Sequence, residues 1–110
     1  MPTDRLRTYN VVVLLLRFEW DEDKAWQNRS KHGVSFEEAE TAFLDEDALL
    51  TADPDHSAYE DRFVLLGLST RLRTLVVCHC YHHGEETIRI ISARKANTAE
   101  CAVYLRRRRR

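Results

Sequence analysis

Apolar positions along the chain fall first at helical and then at strand spacing, which divides it into a helical first half and a β-rich second half. Residues 18–20 read as the end of a short strand. Asp21 is placed to cap a helix, with Glu22 and Asp23 in a first turn whose dipole favours carboxylates. Gly33 closes that helix after Lys31 and His32, which stand where the last turn favours cations. A second helix begins at the capping box Ser35-Phe36-Glu37-Glu38, buries Phe36, Ala39 and Phe43, and ends at 45–47. Period-two patterning then predicts strands over 48–52, 62–68, 74–82 and 87–93, with turn signals at Asp53-Pro54-Asp55 and His83-Gly84. The strand over 62–68 is apolar on both faces and so belongs inside the sheet. Thr98 caps a last helix that runs into the arginines at 106–110.

Segregated helices and strands define an α+β fold: two N-terminal helices packed on an antiparallel four-stranded sheet, with a C-terminal helix. The expected organisation is an N-terminal extension over 1–17, one domain over 18–105 and a basic tail over 106–110. Charge alters this picture in one respect. The net charge is only −1, yet 37–61 holds ten acidic residues and no Lys or Arg. Without the five tail arginines the balance is twelve positive against eighteen negative. A broad basic surface is therefore excluded, and any contact with nucleic acid must be local. The acidic stretch suits solvent or a basic protein partner. The longest apolar run, 11–16, is too short for a signal-peptide core or a membrane span, so no membrane association is expected. Three cysteines, an odd number, point to the reducing cytoplasm.

Three constellations could carry chemistry. Asn28, Lys31 and His32 share a helical face beside Lys24, either as a site or as a solvated helix end. Cys78-His79-Cys80-Tyr81-His82-His83 would place Cys78, Cys80 and His82 on one side of a strand. Alternate strand positions do not match the looped ligand pairs of a zinc site, so neither metal nor cofactor is expected. Arg89, Arg94 and Lys95 flank the last strand, where Arg89 and Ile91 would share a face opposite Ile88, Ile90 and Ser92. Arginines there could grip phosphate or pair with one of the many carboxylates.

The order of motifs resembles the BrnT family of toxins. Phe18-Glu19-Trp20-Asp21, Lys24, Asn28 and the run from Lys31-His32-Gly33 to Ala39 are similar to its opening. Asp53 to Ser57, Glu60, Arg62-Phe63 and Gly67 are similar to its middle, and Arg89 to Ala96 to its closing strand. The resemblance implies a RelE-like fold and RNA cleavage that inhibits translation. It also implies a BrnA-like ribbon-helix-helix antitoxin, operator DNA bound only through that partner, and a dimer of toxin–antitoxin heterodimers. Residues matching the family's functional regions are Lys31, His32, Arg62 and Arg94, together with Glu60 and Lys95. The chain departs from the pattern at His82, where many members carry arginine, and at 97–101.

Metal-free RNA cleavage needs a base for the 2′-hydroxyl, an acid for the leaving 5′-oxygen, and cations at the phosphate. Arg62 and Arg94 suit the phosphate, and Lys31 with His32 suit proton transfer or substrate placement. His82 is a second acid–base candidate, because histidine titrates closest to neutrality. Glu60, Arg89 and Lys95 are assigned to RNA binding. The residues alone leave open which group is acid and which base. They also leave open a non-catalytic module that docks a basic protein through 37–61. A directly DNA-binding repressor is disfavoured, since no basic recognition helix is present.

Overall fold

The computed structural model describes residues 17–53, 61–82 and 86–109. In chain order these form β1 (Arg17–Glu19), α1 (Glu22–His32), and α2 (Phe36–Thr41) prolonged by a 3-10 turn (Ala42–Leu44). Then come β2 (Leu49–Ala52), β3 (Phe63–Leu68), β4 (Thr74–His82), β5 (Thr87–Lys95) and α3 (Thr98–Arg108). The sheet runs β1-β5-β4-β3-β2. β2 to β5 are the expected antiparallel meander, with β3 in an interior position. β1 pairs parallel to β5, Phe18 opposite Ile88, so the sheet is five-stranded and mixed rather than four-stranded and antiparallel. Three residues carry no periodic signal, and a pairing across some seventy residues of chain leaves no local trace.

Local capping signals set the helix ends. Asp21 accepts from the Lys24 N–H at 3.1 Å, and Gly33 closes α1 with φ +71°, the left-handed region that glycine enters at least cost. Ser35 accepts from the Glu38 N–H at 3.0 Å. The expected capping box goes no further there, because the Glu38 carboxylate is engaged elsewhere. It accepts from the Ser69 hydroxyl at 2.8 Å and forms an ion pair with the partly exposed Arg73. At the C-terminal helix the cap is Asn97, not Thr98, and here Glu100 does complete the box.

The core lies between the sheet and α1–α2. Val34, Phe36, Ala39 and Ala42 pack on Leu65, Leu75, Val77, Ile88, Ile90 and Ala93. Gly67 permits the closest approach, since a Cβ there would stand 3.0 Å from the Ala42 carbonyl oxygen. A bulge after Cys78 pairs Cys78 with Ser92 and His79 with Ile90, leaving Ile91 as the extra residue. Ser92 therefore lies on the face opposite Ile88 and Ile90, against the expected alternation. His79 belongs to the core: it is fully buried, its ring 4.8 Å from that of Phe43, and burial lowers its pKa. On the opposite face, α3 packs against β3 and buries Tyr104. The Tyr104 hydroxyl donates to Asp45 at 2.6 Å, and Asp45 also accepts from the Leu68 and Asp47 amides. Burial opposes ionisation of Asp45, but these three donors outweigh it and lower its pKa, while the Tyr104 phenol is pushed up to about 12.

α1 is fastened to the sheet by Asn28. Its Nδ2 donates to the carbonyls of Ala93 (2.8 Å) and Val34 (2.9 Å), and its Oδ1 accepts from the Ala93 N–H at 3.0 Å. β1 ends opposite Arg89, so at Ala93 this carboxamide satisfies the edge of β5 in place of a neighbouring strand. Asn28→Ala leaves three buried backbone groups unpaired and should cost about 3 kcal/mol or more in denaturant unfolding. Asn28→Asp should cost at least as much, because a carboxylate would face two carbonyl oxygens. A loss below about 1 kcal/mol in both variants would show that α1 is held by its apolar face alone.

Candidate functional site

Lys24, Gln27, Asn28, Lys31 and His32 recur at helical spacing and form one stripe along α1. With Asn28 pinned to Ala93, that stripe is held beside the bulged part of β5. Arg62, Ile91 and Ser92 stand opposite, and the space between is a groove of about 390 Å³. Arg62 immediately precedes β3 and lies on the face opposite the core, within electrostatic reach of the Cys78 thiol. Among the described residues, no carboxylate lines the groove, although the chain as a whole carries net negative charge. Lys24, Lys31 and Arg62 offer it fixed cations and His32 a titratable ring.

The predicted residues thus divide into groups. Lys31, His32 and Arg62 come together in the groove. Arg89 and His82 gather at the far end of β4–β5, where β1 brings Glu19 between them. Glu19 Oε2 accepts from Arg89 Nη1 at 2.8 Å and from His82 Nδ1 at 3.0 Å. The Arg89 bond holds the Glu19 carboxyl below its usual range against the opposing effect of burial, and His82 adds to it. Arg94 is apart from both groups. Its guanidinium makes a bidentate pair with Glu100, both bonds 2.8 Å, so its fork faces α3. Lys95 is exposed at the end of β5. Glu60 lies outside the described residues, as does His83.

Sequence reasoning missed three contributors. Gln27 and Ser92 line the groove, the latter because of the bulge, and Glu19 organises His82 and Arg89. The seven-residue spacing of Lys24 from Lys31 was the legible signal for the stripe; Glu19 had none. The cysteines are free thiols, and the Cys78 thiol is pushed up to about 11 by burial and by its bond to Asp53. Among the described residues, no cluster of three or more His, Cys, Asp or Glu side chains is arranged to hold a metal ion. No described helix is long and apolar enough to cross a membrane.

Residues 20–100 match the family model described as the ribonuclease toxin BrnT of type II toxin–antitoxin systems. Among solved structures, the chain is similar to the Brucella abortus ribonuclease toxin BrnT. Identity is 29% and the TM-score 0.56, over 76% of this chain and 99% of that one. No curated protein matches the chain. Groove, His82, Arg89 and Arg94 all fall within the matched residues, whereas Glu19 lies just before them.

The Arg94–Glu100 pair gives stability a defined acid limit. Arg94 and the Asn97 amide lower the Glu100 carboxyl from 4.5 to about 2. A depressed carboxylate stabilises the fold fully above its unfolded pKa and loses that contribution as pH falls through the folded one. The stability difference between wild type and Glu100→Gln should therefore be constant above about pH 4.5 and shrink toward about pH 2. Urea unfolding across that range checks it, and a difference that does not change with pH would assign the Glu100 effect to packing.

Proposed function

The chain belongs to the BrnT family of type II toxin–antitoxin ribonuclease toxins, and on that premise we propose that it cleaves RNA laid along the groove between α1 and β5. The observation that carries this reading is the groove's lining: cations from a helix and from the start of β3, with no carboxylate among the described lining residues. A polyanion is the natural occupant of such a site, and the remaining acidic surface restricts where it can bind. A single strand suits the groove better than a duplex, because the cationic track is narrow and one-sided.

Cleavage proceeds without metal. The 2′-oxygen attacks the adjacent phosphorus, a base takes the 2′-hydroxyl proton, and the 5′-oxygen leaves with a proton from an acid. Arg62 stabilises the charge that builds on the phosphate, and Lys24 tracks the backbone. Lys31 and His32 transfer protons or place the substrate; general acid–base help is worth about 10²–10⁴-fold. Arg94 reaches a phosphate only by exchanging Glu100 for it, so its contribution is coupled to α3. Cleaved messages halt translation, and a BrnA-like ribbon-helix-helix antitoxin restrains the toxin in a dimer of heterodimers, in which operator DNA is contacted only through the antitoxin. Within the acidic stretch over 37–61, the exposed Glu37, Glu46 and Asp61 offer a basic segment of that partner complementary charge.

Purified protein should cleave single-stranded RNA in the presence of strong chelator. Lys31→Ala and Arg62→Ala should each lower kcat/KM by about 10²-fold without loss of fold, as for removal of one positioned cation. Induced expression should arrest growth, and the adjacent antitoxin should relieve it. Folded protein that leaves RNA intact, or activity lost to chelator and restored by zinc, would contradict the mechanism.

A further inference from the structure

Beyond Arg62, the open sheet face carries a cluster drawn from three strands. In the cross-strand register Cys80 pairs with Arg89 and Arg89 with Glu19, and Arg62 enters β3 next to this row. The cationic track of the groove thus continues through Arg62 to Arg89. His82 stands two residues along β4 from Cys80 and shares the Glu19 carboxylate with Arg89.

A carboxylate oxygen only accepts hydrogen bonds, so a neutral His82 ring bonded to Glu19 carries its proton on Nδ1. Its lone pair then lies on Nε2, which faces the Cys80 thiol at 3.8 Å. A thiol is a weak donor to that lone pair, and a ribose hydroxyl is a stronger donor that displaces it. The His82 and Arg89 side chains are 38% and 37% exposed, whereas Cys80 itself is buried. Ion pairs that exposed contribute little to folding, so fastening β1 is a poor account of the arrangement. A histidine whose second nitrogen is held by a carboxylate is instead the arrangement that orients an acid–base group.

We infer that Glu19 is a positioning residue for RNA cleavage: it holds His82 in the Nδ1–H tautomer and Arg89 beside it. His82 Nε2 then removes the 2′-hydroxyl proton while Arg89 meets the phosphate. As the 2′-oxygen bonds to phosphorus, the P–O5′ bond breaks, and the 5′-oxygen takes its proton from the acid on the other side of the phosphate. The imidazolium that forms faces Glu19 across 3.0 Å. This assignment rests on the ribonuclease reading above and allots the base to His82, leaving Lys31 and His32 to substrate placement or to the acid.

The test combines steady-state cleavage of a short single-stranded RNA with ¹⁵N–¹H correlation spectra of the histidine rings. Wild type should show His82 as the Nδ1–H tautomer, and Glu19→Ala should lose that preference. In Glu19→Ala, kcat should fall by about 10²-fold with KM within about twofold, because the loss lies in proton transfer. Glu19→Gln keeps an acceptor and should recover part of the activity; it also carries the test if the alanine variant does not fold. In a His82→Ala background, Glu19→Ala should lower kcat far less than it does in wild type, leaving only the part that passes through Arg89. Folded wild-type protein that does not cleave RNA would overturn the ribonuclease reading and this inference together. Cleavage that is indifferent to Glu19, or losses that multiply in the double variant, would overturn the inference alone.

Discussion

The arrangement depends on a shortage of strand at the edge of the sheet and on the side chain that makes it good. β1 ends opposite Arg89, while β5 runs on to Lys95, so the second half of β5 needs partners for its outward backbone groups. Asn28 supplies them at Ala93 with one carboxamide that both donates and accepts, and its second donor bond ties in Val34. An amide is the one short neutral side chain with this combination of groups. Because Asn28 sits mid-helix, fixing it fixes the azimuth of α1, and with it the direction in which Lys24, Gln27, Lys31 and His32 project. Structural and functional residues therefore alternate along one stripe, and the groove exists because the buried member holds the exposed ones in place.

Electrostatics follows the same economy. The chain is rich in carboxylates, yet several of the best-placed ones are engaged inside the molecule. Glu38 holds Arg73 at the β3–β4 turn, Asp45 gathers β3 and α3, and Glu100 holds Arg94. Breaking the Glu38–Arg73 pair is costly because the buried Glu38 carboxylate is left without its main partner. Among the described residues that line the groove, by contrast, none is an acid. A protein of net negative charge thereby offers a local cationic track there, which favours a polyanion.

What the sequence revealed and what it hid divide by range. Asp21, Gly33 and Ser35 were legible because caps act over three or four residues, and β3 to β5 because these strands are joined by short connections. The grouping of Lys31 and His32 was legible from helical spacing, and the ordered motifs identified the family. Long-range partners were not legible. Glu38 fits a capping box by spacing but serves Arg73, thirty-five residues away. Arg94 reads as a phosphate fork, and the structure shows its fork on Glu100. Ser92 changed faces because a bulge breaks the two-residue period without altering composition. Asn28, placed by spacing among the exposed polar groups, is the buried anchor.

The central claim is that the groove between α1 and β5 receives RNA. It is tested most directly by titrating ¹⁵N-labelled protein with a 2′-O-methyl RNA oligonucleotide, which binds but lacks the attacking hydroxyl. The account predicts amide shifts concentrated along α1 from Lys24 to His32, at Arg62 and at Ile91–Ser92, weakening steeply with added salt. Shifts centred on α2 and β2, or none in the groove at concentrations where RNA is bound, would contradict it.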